Sequence, residues 1–394
     1  MNTYSALKNN IWKLYIVIGL RWFMIIMPII VLFYNSIGLA LREVFLIQAV
    51  FSATIVILEI PSGYWADVFG RRKSIIIGMC LAVLGMAIYS VSYDFYSVLI
   101  AEIILGVGAS FVSGADSAML YDSLVEINKI ENYKKVQGRL HAVENFSEGL
   151  AAVLAGFLAV IGLRLPLYIE TIAFIVALPF AFSLVEPARQ AINKTSSYAR
   201  EMMKIIKFAL HEHKELKWLI IYSAVTGATT FTFVWFVQPY WSQIGLPLPW
   251  FGILWAVLQF SVGLFSWVAG WYENKMGRKF VLVSFIFIAA AAYLGMGLIQ
   301  SLWGMIFMLL PYFVRGINKP LISDYVNKII SSESRATVLS IKNLGSRIIF
   351  VIVGPLAGWV SDVYSLSTAL LLCGTLFLIL GLGSLFFLHK HNGL

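Results

Sequence analysis

Charge is scarce in this chain of 394 residues: Asp, Glu, Lys and Arg together make up 12% of it, against 60% hydrophobic residues. With a mean hydropathy of +0.84, such a composition excludes an ordinary soluble globular protein. Cysteine is nearly missing. Cys80 and Cys373 are its two copies, each inside an apolar run and far apart in sequence, which excludes a disulfide framework and a thiolate metal site. No cluster of metal ligands and no nucleophile beside a base stands out, so no enzyme, metal or other cofactor is expected. A phosphate-cradling Gly-x-x-x-x-Gly-Lys-Ser/Thr loop is missing too, which removes ATP drive within the chain. Nor is a cleavable signal peptide expected. The first apolar run begins near Trp12, is long enough to span a bilayer and has no convincing small-residue cleavage site.

What the chain has in abundance is long apolar runs, with room for about twelve spans of ~20 residues and short connections. The net charge of +9 raises nucleic acid as a partner, but the placement of the cations argues against it. Lys and Arg collect in the predicted inner segments, and only Arg42 and Arg164 fall in predicted outer loops. This positive-inside asymmetry makes the lipid bilayer the partner and puts both termini in the cytoplasm. The expected fold class is an all-α membrane protein of twelve transmembrane helices.

One stretch occurs twice. Gly63-Tyr64-Trp65-Ala66-Asp67-Val68-Phe69-Gly70-Arg71-Arg72-Lys73 returns as Gly270-Trp271-Tyr272-Glu273-Asn274-Lys275-Met276-Gly277-Arg278-Lys279. Each copy lies between two apolar runs, where its glycines are expected to allow a tight turn and its cations to hold that turn on the cytoplasmic side. A repeated loop implies a repeated half-protein. Residues 188–216 are the one long polar stretch, which divides the chain into a first bundle, 1–187, a cytoplasmic linker, 188–216, and a second bundle, 217–394. Within the linker, Met202, Ile205, Ile206 and Leu210 make an apolar stripe that fits a helix on the membrane surface; a solvated linker is the alternative.

Ionisable side chains inside apolar spans are expensive and face a partner or a water-filled cavity. Arg21 lies roughly 13 Å from the inner end of span 1 and Glu148 roughly 16 Å from that of span 5, at ~1.5 Å per residue. His141, Glu144 and Glu148 share one helical face. Span 10 carries Arg315, Asn318 and Lys319, and Glu102 sits in the outer third of span 4. Two readings stay open for each: a structural ion pair of Arg21 with Glu144 or Glu148 against a substrate contact, snorkelling of Arg315 against a cavity position, and pairing against proton exchange for Glu148 and Glu102.

The first copy of the repeated stretch resembles the loop 2–3 signature of the major facilitator superfamily, Gly-x-Leu-Ala-Asp-x-x-Gly-Arg-Lys. Gly63, Ala66, Asp67, Gly70, Arg71 and Arg72 match, and Trp65 replaces the usual Leu. The resemblance implies two pseudo-symmetric six-helix bundles, with spans 1, 4, 7 and 10 lining a central cavity. It implies that Arg21, Glu148 and Arg315 converge near the cavity midplane; the candidate substrate-binding residues are then Arg21, Arg315, Asn318 and Lys319, and the candidate proton-coupling residues Glu148, Glu102 and Glu144. It also implies a gate, in which Asp67 reaches the N-terminal end of span 11, where Arg335 stands. Gly63, Gly70, Arg71 and Arg72 belong to that gate, with Asn274, Gly277 and Arg278 as mirror positions, the uncharged Asn274 making the two halves latch unequally. Glu102 departs from the pattern Arg-x-x-x-Gly-x-Gly of many proton-coupled antiporters: Gly106 and Gly108 are kept, but a carboxylate stands at the Arg position. The segments 59–63 and 113–116 are similar to those of a drug-exporter-like branch.

The expected function is a monomeric secondary transporter of the bacterial inner membrane, working by alternating access and exporting a small amphipathic organic compound by proton antiport. Transport of an organic anion, such as a carboxylate metabolite or siderophore, is the alternative. A non-transporting sensor or scaffold is a second one; it predicts a large soluble domain or long tail, and none is visible.

Overall fold

A bilayer offers backbone amides no partner but the chain itself, so spans must be helices. The computed structural model describes residues 3–188, 203–330 and 335–391, and it is helical with no strand among them. The first half holds α1 (Thr3–Arg21), α2 (Ile30–Ser36), α3 (Leu41–Phe69), α4 (Arg71–Ser90), α5 (Phe95–Val112), α6 (Ala115–Glu126), α7 (Tyr133–Ile161) and α8 (Leu165–Phe182). The second holds α9 (Lys214–Gln243), α10 (Leu248–Trp267), α11 (Ala269–Met276), α12 (Arg278–Leu298), α13 (Leu309–Ile329), α14 (Arg335–Val363) and α15 (Leu366–Lys390). Among the described residues, 11 stretches are long and apolar enough to cross a membrane.

The expected first span is absent from those eleven because it is interrupted. α1 stops at Arg21, residues 22–26 leave the helix, and a 3-10 turn at Met27–Ile29 leads into α2. Pro28 explains the position: it has no N–H to give and disfavours helix in the residue before it. Span 4 is interrupted as well, between α5 and α6, where Gly114 takes φ +74°. Gly114 therefore serves the bend and not close packing, since a methyl group added there would meet nothing within 4 Å.

The chain forms two compact units. The first comprises Met1–Leu39, Val50–Asn193 and Pro247–Ala256; the second comprises Ala40–Ala49, Lys194–Leu246 and Val257–Leu394. In the first, Leu14, Ile18, Met79, Met119, Leu120, Leu140 and Ala177 meet in one core. Small residues let helix axes approach: a Cβ on Gly78 of α4 would stand 2.7 Å from the Gly108 carbonyl of α5, and one on Gly106 would stand 3.1 Å from Thr54 of α3. In the second unit Leu219, Tyr222, Leu282, Phe285, Ile317, Ile322 and Val338 form the core. Its buried tyrosines are hydrogen-bonded, as buried hydroxyls require: Tyr222 donates to the Leu282 carbonyl (2.8 Å) and Tyr293 to that of Thr229 (2.7 Å). Trp235 and Phe236 are buried, whereas Phe260 is exposed.

Residues 189–202 of the linker, with Met202 of the stripe, lie outside the described residues. Of the rest, residues 203–207 are helical and Phe208–Glu212 form a π turn. Ile205 and Leu210 pack against the core of the second unit.

Candidate functional site

The two repeated turns are built alike but held differently. The helix α3 runs on to Phe69, so Gly63 is helical and only Gly70, at φ +118°, makes the turn that sequence placed at two glycines. Gly277 does the same at φ +80°, while Gly270 is inside α11. Continued helix satisfies the amides of residues 64–69 within the segment, which a longer loop would leave to water. Beyond Gly70, the Glu186 carboxylate accepts the amides of Arg71 (2.9 Å) and Arg72 (2.8 Å), capping α4. The Arg71 guanidinium reaches Asp122 at 2.5 Å and Asp67 at 3.5 Å, and Arg72 donates to the Phe182 carbonyl (2.8 Å). In the second copy Asn274 is exposed; Arg278 pairs with Glu215 at 3.4 Å and lies 4.4 Å over the Tyr325 ring, whose hydroxyl donates to Glu273 (2.5 Å). Asp122, Glu186, Glu215 and Tyr325 were not foreseen. The side chain of Arg335, the expected partner end for Asp67, lies outside the described residues. Replacing Glu186 by Ala should cost about 1 kcal/mol, the usual worth of a lost N-terminal cap, read as a lower melting temperature in detergent.

The second constellation forms around Arg21, in the last turn of α1 where the first span breaks. The residue is partly buried, and its guanidinium interacts electrostatically with Asp116 of α6 and then Glu144 of α7. Asp116 is thus the nearest carboxylate in effect, a residue the sequence reading left out of the site. Glu144 also accepts a hydrogen bond from His141, Nδ1 to Oε2, at 2.8 Å. Glu148 is partly buried one turn further along α7. Close by, Ser113 donates to Glu59 (3.1 Å) and Ser62 to the Ser110 carbonyl (2.8 Å), so the segments 59–63 and 113–116 meet.

A third group surrounds Glu102, 5% exposed, which accepts a 2.9 Å hydrogen bond from the Tyr34 hydroxyl of α2.

In the second unit, Asn318 donates to Thr226 Oγ1 (3.3 Å), and its Oδ1 is buried with no hydrogen-bond partner among the described residues. Arg315 and Lys319 are exposed. Lys342 of α14, 8% exposed, donates to Ser323 Oγ (3.4 Å) and feels the charge of Lys319. Among the described residues none of these three cations makes an ion pair. The nearby carboxylates are engaged at helix ends: Asp324 with Lys328 (2.6 Å), and Asp362 with the amides of Leu41 (3.1 Å) and Arg42 (2.8 Å). A lysine inside an apolar span was the signal for Lys342; it was legible and not taken up.

Comparison with known proteins gives this geometry a family. The family model of the Major Facilitator Superfamily matches residues 11–341. The chain is 25% identical over 232 residues to multidrug resistance protein 2 of Bacillus subtilis (strain 168), covering 58% of this chain and 56% of that one. It is 23% identical over 186 residues to the quinolone resistance protein NorA of Staphylococcus aureus, covering 47% and 46%. The chain thus spans about half the length of the curated relatives it matches. Its fold matches that of the nucleoside transporter NupG with a TM-score of 0.78 at 15% identity, covering 98% of this chain and 99% of that one. An inward-facing bacterial homolog of the human lysosomal transporter Spinster matches with a TM-score of 0.75 at 15% identity, covering 98% and 97%. With the family matched across residues 11–341 and the fold shared along nearly the whole chain, this protein belongs to the Major Facilitator Superfamily, a family of membrane transporters and not of enzymes.

Proposed function

We propose that the chain is a secondary active transporter that exports a small amphipathic organic compound by proton antiport, alternating the access of one site within the bacterial inner membrane. The observation that carries this reading is the Arg21–Asp116–Glu144 constellation at the break in the first span. Interrupted helices and intramembrane charge are where transporters place substrate and coupling ion, and the relatives matched by sequence are named for resistance to drugs and quinolones. The roles follow the reading: Arg21, Arg315, Asn318 and Lys319 meet substrate, and Glu102, Glu144 and Glu148 exchange protons. The chain acts as a monomer of two six-helix bundles, 1–187 and 217–394, with both termini cytoplasmic. Protein reconstituted in proteoliposomes should acidify or alkalinise the lumen on adding substrate, with a sign that reverses with the imposed gradient. A flux indifferent to the proton gradient would sink antiport.

A second reading, transport of an organic anion, is favoured by one observation: Arg315, Lys319 and Lys342 share the second unit without an ion-paired carboxylate among the described residues. For the gate, Asp67→Asn should leave the turn folded, because Arg71 keeps Asp122 at 2.5 Å. It should still raise labelling of cysteines from the cytoplasm by shifting the resting population. Unchanged labelling and unchanged transport together would count against Asp67 as a latch.

A further inference from the structure

The buried carboxylates of the first unit are not all accounted for by Arg21. Glu102 and Glu170 are 5% and 2% exposed, and Tyr34 and Tyr89 are 0% and 1% exposed. Tyr34 donates to Glu102 Oε1 at 2.9 Å. Glu170 Oε2 accepts the amide of Ile26 at 3.0 Å, and the Ile25 amide also bonds to this carboxylate. Those two amides belong to the break in the first span; the Ile25 amide also reaches the Phe23 carbonyl (3.1 Å), while that of Ile26 takes its acceptor from Glu170, which the interrupted helix does not supply. The two carboxylates are near enough to act on one another.

The fourth member points to an occupant. The Tyr89 hydroxyl is buried beside that of Tyr34 and interacts electrostatically with Tyr34, Glu102 and Glu170. Its ring stands 6.0 Å from that of Tyr34. A buried hydroxyl in the field of two carboxylates is a donor that can turn toward the charged one. Arg164, whose guanidinium reaches Phe33 next to Tyr34, is committed elsewhere: it donates to the carbonyls of Ser90 (2.9 Å) and Ser92 (2.6 Å) and lies 3.8 Å over the Tyr93 ring and 5.3 Å over that of Phe33.

We propose that Glu102 and Glu170, with Tyr34 and Tyr89 packed beside them, form one proton-binding site whose occupancy controls how firmly the break in the first span is held. Two carboxylates that feel one another's charge in a low-dielectric interior titrate as a pair and not singly. When Glu170 is ionised, it accepts the Ile25 and Ile26 amides as charge-assisted hydrogen bonds. When a proton from water binds a carboxylate oxygen, one O–H bond forms, those bonds weaken, and residues 22–29 are released to move. The proton then leaves to water, so nothing else is consumed. The site gives the antiport reading a place where proton binding meets a moving segment, and it rests on that reading only for its role in flux.

The test follows amide hydrogen exchange at Ile25 and Ile26 in the full chain in lipid nanodiscs, corrected for the intrinsic pH dependence of exchange. Wild-type protection should rise about tenfold between acidic and alkaline buffer, one pH unit's worth of linkage. Glu170→Gln should lose that dependence. Glu102→Gln, which leaves the cap on Ile26 intact, should shift its midpoint and keeps the test open if Glu170→Gln does not fold. Protection that ignores pH in the wild type, or that keeps its pH dependence unchanged in both variants, overturns the site. So does a midpoint that moves when sodium replaces choline, which would make this a metal-cation site. Proton-driven flux in proteoliposomes with a pH-silent break also overturns it. A pH-dependent break with flux indifferent to the proton gradient overturns antiport and leaves the site standing.

Discussion

Arg21→Ala should lower the yield and stability of the folded protein by on the order of 3 kcal/mol, and Asp116→Asn should restore part of the loss. The figure is the low end of the range for breaking a buried charge pair, because among the described residues Arg21 makes no direct ion pair. What Arg21 supplies is a positive charge acting on Asp116 and Glu144 across the junction of α1, α6 and α7. Remove it, and two carboxylates face each other beside the break in the first span, where residues 22–26 leave the regular helix. The rescue separates this residue from Glu148, which sequence placed beside it. If Glu148→Gln rescues Arg21→Ala and Asp116→Asn does not, the pairing described above is wrong. Size-exclusion profiles and melting curves of the single and double variants decide the matter.

Arg315→Ala should weaken binding of a carboxylate-bearing substrate by ~1.5–3 kcal/mol, the worth of a hydrogen bond to a charged group. Arg315→Lys should recover only part, since Lys lacks the planar fork that meets both carboxylate oxygens. The expectation stands on the second unit's surplus of cations. Asp324 is spent on Lys328 and Asp362 on the amides of Leu41 and Arg42. Lys342→Met serves as the control for a general field effect, because Lys342 is buried while Arg315 is exposed. Calorimetry with anionic, neutral and cationic ligands reads the outcome. Tightest binding of a lipophilic cation, strengthened further by Arg315→Ala, would remove the anion reading and favour a multidrug exporter.

The helical architecture was legible because hydropathy and the doubled stretch of residues 63–73 and 270–279 speak directly about topology. Gly70 and Gly277 were legible as turn residues, since left-handed backbone favours glycine. Gly63 and Gly270 misled, because in a bilayer the helix continues wherever its amides would otherwise go unpaired. The break in the first span was hidden by the apolar run around it, although Pro28 marks it. Asp116 and Glu186 were invisible as site residues for a different reason. One acts on a cation from another helix, the other caps a helix more than a hundred residues away, and no spacing within a span encodes such partners.

The contact of α4 with α5 has a consequence that begins during synthesis. The two helices are consecutive, joined through residues 91–94, where Asp94 caps α5 through the Ser97 amide (3.0 Å) and is held below the usual carboxylate range by it. At Gly78 and Gly108 the two backbones come so close that a Cβ on either would meet the other's carbonyl within 3 Å. Contacts local in sequence close early and need no distant partner. The hairpin can therefore dock as it leaves the insertion machinery, before α7 and α8 exist, and give later helices a finished surface to assemble on. A bulky residue at Gly108 would then show itself in a pulse-chase as a chain that is made, inserted and degraded, not as a carrier with altered substrate preference.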